Sequence, residues 1–159
     1  MSRLLLPRSI YDALRAHGEE AYPNECCGAL LGRPGPGGWR IFATLRAGNA
    51  CIGSARHRYE IAPIELVHIE GEARRRGLEI AGFYHSHPGH PAQWSPTDFA
   101  EAHWIGCSYV ITEIAHGKAA ATQSYLLAGA TEEDKRFEFE TIVIEDESSG
   151  APPQSNLEQ

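Results

Sequence analysis

Two histidines and an aspartate near the middle of the chain have the types and spacing of a metal site. His85 and His87 flank Ser86, and side chains alternate between the two faces of a strand, so both imidazoles point one way and Ser86 the other. Asp98 follows His87 by eleven residues, which is enough for a loop to bring a carboxylate beside the imidazoles. Two nitrogens and one oxygen, with a fourth position left for water, are typical of a catalytic zinc site rather than a structural one.

Each part of this pattern also has an ordinary structural explanation. A His-x-His pair is common by chance, and Ser95-x-x-Asp98 matches a helix capping box in which Asp98 replaces the usual glutamate. The complete spacing from His87 to Asp98 is much less frequent by chance than either part alone. A cap at Ser95 is also compatible with a catalytic role for the same residue.

Hydrolysis at such a site needs a base that accepts a proton from water, and Glu25 is the candidate. Zinc lowers the pKa of its bound water to about 7, and a nearby carboxylate can carry the proton to the leaving amine. Glu25 precedes an apolar run at 26–32 that predicts a buried strand. The end of that strand could face the strand end that carries His85. Position alone leaves open a second interpretation, in which Glu25 is a solvated loop residue.

Hydrophobic periodicity and turn residues predict the elements that must hold these side chains. They are a helix capped by Ser9 and ended by Gly18 and Pro23, strands at 26–32 and 39–45 joined by a turn, a loop at 48–58, a helix from Pro63 to Gly77, a strand at 78–84, a helix from near Ser95, and strands near 109–111, 124–127 and 137–144. This order predicts one α/β (α+β) domain over residues 1–147, with a mixed β-sheet flanked by helices. Residues 148–159 lack core-forming side chains and are predicted to be a disordered tail.

As a whole, the motif resembles the JAMM (MPN-plus) zinc metallopeptidases. Their signature is a distant glutamate, then His-[Ser/Thr]-His-Pro, six residues, and Ser-x-x-Asp. Glu25, residues 85–88, Ser95 and Asp98 match this signature without a departure. The resemblance covers roughly residues 4–145. Further blocks that are similar to the short bacterial members lie at 24–28, 58–63 and 82–84.

The resemblance implies a single-domain MPN/JAMM fold with cytidine-deaminase-like layering and one Zn²⁺ per chain. By position, His85, His87 and Asp98 would bind the zinc ion. Glu25 would be the general base, and Ser95 would donate a hydrogen bond to the developing oxyanion. The implied reaction is hydrolysis of a peptide or isopeptide bond after the C-terminal Gly-Gly of a ubiquitin-like β-grasp protein.

The resemblance also bears on the substrate. Short bacterial members are similar to peptidases that process sulfur carriers, and this chain has no room for the insertions of eukaryotic ubiquitin-chain enzymes, which favours a sulfur carrier as the partner. Trp94, beside the site, either lines a narrow channel for the Gly-Gly end or simply packs the loop. Asn49 lies in a polar loop at a position that resembles a family position, and we expect it to contact the substrate strand.

Other function classes account for the sequence less well. A deubiquitinase-like isopeptidase acting on conjugates is the nearest alternative. A non-catalytic scaffold of the same fold would typically have lost the histidine or aspartate ligands, which this chain keeps. A nucleobase deaminase needs His-x-Glu together with Pro-Cys-x-x-Cys, and the sequence contains no Pro-Cys-x-x-Cys.

Composition limits the classes of binding partner and the cellular compartment that we expect. A net charge of −7 disfavours nucleic acid, whose binding depends on Lys and Arg. No run of 18 apolar residues predicts a membrane span, and the first residues are too short an apolar stretch for a signal peptide, so we expect a cytoplasmic enzyme. The four cysteines have no Cys-x-x-Cys spacing and are predicted to be reduced thiols. The sequence leaves a homodimer open.

Overall fold

The computed structural model describes residues 2–146, so the predicted tail at 148–159 lies outside the described residues. Along that range the elements are β1 (Arg3–Pro7), α1 (Arg8–Ala21), β2 (Cys27–Gly35), β3 (Gly38–Ala47), α2 (Pro63–Arg75), β4 (Glu79–Pro88), α3 (Pro96–Glu101), β5 (Ser108–Ala115), β6 (Lys118–Ala128) and β7 (Arg136–Glu145). None of these helices is long and apolar enough to cross a membrane. All four cysteines are free thiols.

These strands form one sheet that closes into a barrel in the order β1-β3-β2-β4-β5-β6-β7. Strand β1 runs parallel to β3 and β7, and β4 runs parallel to β5, whereas the other neighbours are antiparallel. The mixed sheet confirms the prediction. Its closure is not visible in local periodicity, because the β1–β7 pairing joins opposite ends of the chain.

Predictions for the first twenty residues are partly wrong. Helix α1 begins before Ser9, its N-cap being Pro7, and the preceding strand β1 has no counterpart in the predicted elements. The helix also continues past Gly18. A Cβ on Gly18 would lie 2.8 Å from the Ile114 side chain and 3.3 Å from the Ser86 Cβ. Gly18 therefore allows α1 to pack closely on β4 and β5 rather than ending the helix.

Strand β4 is buried from residue 81 to 87 and presents its two faces to different surroundings. Tyr84 packs with Leu14 of α1 in one hydrophobic cluster, and Phe83 packs with Ile69 of α2 in another. Because side chains alternate along a strand, His85 and His87 project to the same side as Phe83. Strand β4 thus carries both imidazoles on the sheet face that packs against α2.

A buried carboxylate links three strands of the barrel and the residue that precedes β1. Glu140 of β7 is 1% exposed. It accepts hydrogen bonds from the hydroxyls of Ser124 on β6 (2.7 Å), Ser108 on β5, and Ser2 next to β1 (2.7 Å). A buried carboxylate is tolerated when its oxygens are satisfied in this way. This cluster stabilises the closure between the first and last strands.

The close approach of β4 to β5 gives a test of the fold. A Cβ on Gly82 would lie 1.9 Å from the carbonyl oxygen of Ser108, so Gly82→Ala must push the two strands apart. We expect the free energy of unfolding to fall by about 3 kcal/mol, the upper range for overpacking. Gly71→Ala is the matched control, because a methyl group on this exposed α2 glycine would have nothing within 4 Å, and it should raise stability by about 0.5–1 kcal/mol. Urea unfolding measures both, and wild-type stability in Gly82→Ala would contradict the strand spacing.

Candidate metal centre

The three predicted metal ligands come together in the structure. The ligand atoms of His85, His87 and Asp98 all lie within 4.8 Å of one another. The two Nε2 atoms are 3.2 Å apart, and the Asp98 carboxylate lies 3.2 Å from His85 Nε2 and 3.0 Å from His87 Nε2. Both histidines are buried, and the Asp98 side chain is 10% exposed.

This geometry fits a divalent ion. In a tetrahedral site with metal–ligand distances near 2.1 Å, the ligand atoms are about 3.4 Å apart. The three separations of 3.0–3.2 Å in the cluster are close to that value. His85, His87 and Asp98 could therefore hold one metal ion and leave a fourth position open.

The electrostatics of Asp98 and His85 suit metal binding. Burial acts to raise the pKa of the Asp98 carboxyl, but hydrogen bonds from His85 and His87 outweigh it and hold that pKa well below its usual range. Burial lowers the pKa of His85, which favours the neutral imidazole. At His87 burial also acts to lower the pKa, but hydrogen bonds to Asp98 and Pro91 outweigh it, so His87 must give up a proton when a metal binds. An ionised carboxylate beside a neutral imidazole is the form in which these groups bind metals.

His87 is oriented by its second ring nitrogen. Its Nδ1 lies 2.8 Å from the carbonyl oxygen of Pro91. A carbonyl only accepts, so Nδ1 donates the hydrogen bond, and Nε2 is the ring nitrogen that faces Asp98. Such a bond fixes both the tautomer and the ring orientation of a metal ligand.

The loop between β4 and α3 returns Asp98 to the histidines. Gly89 adopts a left-handed φ of 73°, which suits glycine, and its N–H donates to the carbonyl of Ile114 at 2.8 Å. The Tyr125 hydroxyl donates to the carbonyl of Ala92 at 3.0 Å. These two bonds hold the loop against β5 and β6, and so fix where α3 begins.

Helix α3 begins with the predicted capping box. The Asp98 N–H donates to Ser95 Oγ at 3.0 Å, and the Ser95 N–H donates to Asp98 Oδ2 at 2.9 Å. Pro96 occupies the first helical position, where its missing N–H costs nothing. Since Ser95 Oγ accepts one bond, its own proton is still available to a ligand. The capping explanation is confirmed, and it also positions the carboxylate of the metal cluster.

Glu25 lies next to the cluster because of the β2–β4 register. Cys27 pairs with His85, and Cys26 and Ser86 exchange hydrogen bonds, with Cys26 N–H donating to Ser86 Oγ at 2.8 Å and Ser86 N–H to the Cys26 carbonyl at 3.2 Å. Continuing this register leads Glu25 toward His87, and the charges of His87 and Asp98 both act on the Glu25 carboxyl.

The Glu25 carboxylate is buried and free of hydrogen bonds at one oxygen. The residue is 4% exposed, and its Oε1 has no hydrogen-bond partner among residues 2–146. Burial raises the pKa of Glu25 to about 8, while the charge of His87 lowers it and that of Asp98 raises it. The structure therefore places Glu25 as a buried acid beside the cluster, not as a solvated loop residue.

The structure gives Asn49 contacts within the protein. Its Nδ2 donates to the carbonyls of Glu25 (3.1 Å) and Arg58 (2.9 Å), and its Oδ1 accepts from the N–H groups of Cys51 (3.0 Å) and Glu60 (3.1 Å). Both donors and both acceptor positions are occupied. The geometry thus gives Asn49 a structural role in this loop, and the expected substrate contact stays a prediction; a loop asparagine gives no sequence signal that separates the two roles.

Trp94 both packs and remains accessible. Its ring centroid is 5.5 Å from those of Phe99 and Phe137, and these contacts agree with the alternative in which Trp94 packs the loop. It is also 41% exposed beside the Ser95 cap, so the channel alternative stays a prediction.

Tyr59 has no role in the sequence-based predictions. Its ring stacks on that of His85, with centroids 4.4 Å apart and planes 24° from parallel. The two residues are separated by a loop, a helix and most of a strand, so no spacing pattern connects them.

Comparisons with known proteins agree with this arrangement. Residues 7–144 match the Prok-JAB family, described as prokaryotic homologs of the JAB domain. A desampylase of Haloferax volcanii is 32% identical over 114 residues, which is 69% of this chain and 80% of that protein. A probable TtuB-protein conjugate cleaving protease of Thermus thermophilus is 32% identical over 101 residues; the match spans 64% of each chain.

Two solved structures share the fold along most of the chain. A solution structure from Desulfitobacterium hafniense has a TM-score of 0.74 at 26% identity, covering 91% of this chain and 94% of that one. A solution structure from Salinibacter ruber has a TM-score of 0.67 at 35% identity, covering 100% and 97%. With a signature match from Glu25 to Asp98 and a family match over 7–144, the chain belongs to the prokaryotic homologs of the JAB domain, among the short JAMM-like proteins.

Proposed function

We propose that this protein is a zinc-dependent metallopeptidase that hydrolyses the peptide or isopeptide bond after the C-terminal Gly-Gly of a ubiquitin-like β-grasp protein. The observation that carries the proposal is the convergence of His85, His87 and Asp98 with a buried glutamate, Glu25, beside them. The relative from Thermus is named a probable TtuB-protein conjugate cleaving protease, which supports a protein conjugate as one substrate form. A processed sulfur carrier is the other form. Cytoplasmic location and pairing of two copies stay predictions.

Zinc suits the donor set. Two neutral imidazoles and one carboxylate are the ligands of many catalytic zinc sites, and the cluster offers them from His85, His87 and Asp98. When bound, zinc supplies Lewis acidity, which polarises a carbonyl oxygen and makes water more acidic.

Glu25 moves the protons of the reaction. Its Oε1 has no partner among the described residues, so it can accept a proton from the attacking water and then give it to the leaving amine. Burial raises the pKa of Glu25 in the metal-free protein, so this carboxyl holds a proton more tightly than a solvated one does. A cation held by the neighbouring cluster would favour the ionised form of Glu25, which is the form that accepts the proton.

Ser95 donates to the oxygen that becomes negative. Its Oγ already accepts the Asp98 N–H, which leaves the hydroxyl proton for a developing oxyanion. A donor held in place before the reaction stabilises such a charge by several kcal/mol in a site that excludes water.

Glu25→Gln should abolish turnover while it keeps zinc and fold, because the amide cannot accept the proton. We expect a loss of about 10²–10⁴-fold. The assay is mass spectrometry of β-grasp proteins extended past Gly-Gly, both as linear fusions and as lysine-linked conjugates, with a chelator control. Glu133→Gln, at an exposed glutamate, is the matched control and should retain full activity. Wild-type hydrolysis by Glu25→Gln would remove Glu25 from the mechanism.

Removal of a ligand should release the metal. His85→Ala and Asp98→Asn are each expected to weaken zinc binding by more than about 100-fold, since even an outer-sphere partner of a ligand contributes 10–100-fold. The measurement is zinc per chain by mass spectrometry after dialysis. His68→Ala, at an exposed α2 histidine, should keep one zinc per chain. Unchanged zinc content in both ligand variants would refute the ligand set.

Burial of Glu25 should make the metal-free protein less stable as the pH rises. The unfolded carboxyl ionises near pH 4.5 and the folded one near pH 8, so between these values the folded state binds the extra proton. Wild-type stability should therefore fall relative to Glu25→Gln across this window, by up to about 1.4 kcal/mol per pH unit. Urea unfolding of chelator-treated proteins from pH 5 to 8 measures the difference. A difference that does not change with pH would mean that Glu25 is not desolvated.

A further inference from the structure

The two histidines of the metal centre are held in different ways. His87 donates from Nδ1 to the carbonyl of Pro91 at 2.8 Å. His85 Nδ1 is buried and has no hydrogen-bond partner among residues 2–146. A metal-binding histidine almost always uses its second nitrogen to fix its ring. His85 must therefore be oriented by other contacts, and besides its cluster neighbours Asp98 and His87 the structure stacks the ring of Tyr59 on it, with centroids 4.4 Å apart.

Tyr59 is held from both sides by one asparagine. Asn49 Nδ2 donates to the carbonyl of Arg58 at 2.9 Å, and Asn49 Oδ1 accepts from the N–H of Glu60 at 3.1 Å, so the main chain is fixed immediately before and after Tyr59. The same Nδ2 donates to the carbonyl of Glu25 at 3.1 Å. One side chain therefore holds the backbone of both Tyr59 and Glu25.

A second contact connects the loop that carries Tyr59, between β3 and α2, to α3. The Arg58 guanidinium forms an ion pair with Glu101, which lies one helical turn beyond Asp98. Because both side chains are nearly half exposed, this pair contributes little stability by itself. Its geometry nevertheless places the loop between β4 and the helix that carries the carboxylate ligand.

Tyr59 also lines a cavity of about 300 Å³ whose other apolar walls include Phe83, Trp104 and Tyr109. Loss of the Tyr59 ring would enlarge this cavity and remove the stacked contact on His85. The unbonded Nδ1 of His85 would then not resist rotation of the imidazole.

We propose that Tyr59 is a positioning residue of the metal centre. Its ring fixes the orientation of the His85 imidazole in place of the missing Nδ1 hydrogen bond, and Asn49 keeps Tyr59 and Glu25 at a fixed spacing around it. This inference rests on the proposed function, because it takes His85 to be a metal ligand.

The test replaces Tyr59 with and without an aromatic ring and uses Co²⁺ as the probe. Tyr59→Leu should weaken Co²⁺ binding by about 10–100-fold, as loss of an outer-sphere partner does, and should change the visible absorption bands that report coordination geometry. Tyr59→Phe keeps the ring and should restore both affinity and spectrum. Affinity is measured by chelator competition, and circular dichroism of the metal-free proteins checks that each variant is folded.

Asn49→Ala keeps the aromatic ring but frees its loop, and it should change affinity and spectrum in the same direction by a smaller factor. If Tyr59→Leu does not fold, the Asn49→Ala variant provides the test of this inference. Wild-type affinity and spectrum in every folded variant of this pair would overturn the inference. His85→Ala separates the failure of this inference from the failure of the proposed function. If His85→Ala also binds Co²⁺ normally, the proposed function fails. If only His85→Ala loses Co²⁺ and the Tyr59 and Asn49 variants keep it, only the role of Tyr59 is refuted.

Discussion

Antiparallel pairing between β2 and β4, with Cys27 opposite His85, places the chemically important side chains on one face of the sheet. Alternation along β4 then gives His85 and His87 the same direction, and Glu25, two residues before β2 begins, lies close enough to His87 for its charge to act on the carboxyl. A slip of one residue would turn both imidazoles toward α1. Mutual hydrogen bonds between Cys26 and Ser86 oppose that slip, so the serine between the two histidines contributes by fixing the register.

The two neighbouring carboxyl groups of this centre, Asp98 and Glu25, have pKa values that are shifted in opposite directions. Hydrogen bonds from the histidines outweigh burial at Asp98 and keep its pKa low, whereas burial dominates at Glu25 and raises its pKa to about 8. Environments that separate the pKa values of neighbouring acids commonly separate their roles. Here the ionised carboxylate suits a cation, and the one with the raised pKa suits a group that takes up and releases protons.

The polar loop between β3 and α2 connects the parts of the centre that the sheet does not connect. Asn49 bonds the backbone of Glu25 and of the residues around Tyr59, Tyr59 stacks on His85, and Arg58 pairs with Glu101 of α3. A segment without helix or strand thus contacts Glu25 ahead of β2, His85 of β4 and Glu101 of α3. Loops held by a rigid scaffold commonly carry such functional contacts.

The sequence by itself determined the features that depend on near neighbours: the shared face of His85 and His87, the capping box of Ser95 and Asp98, and most strands and helices. It also identified Glu25, because the complete signature resembles a known family. Only the tertiary structure decided the closure of the barrel through β1 and β7, the close packing of Gly18, and the contacts of Asn49 and Tyr59. These features join residues that are far apart in the chain. Local propensity and spacing carry no information about such contacts, because they form only when the whole sheet fixes its register.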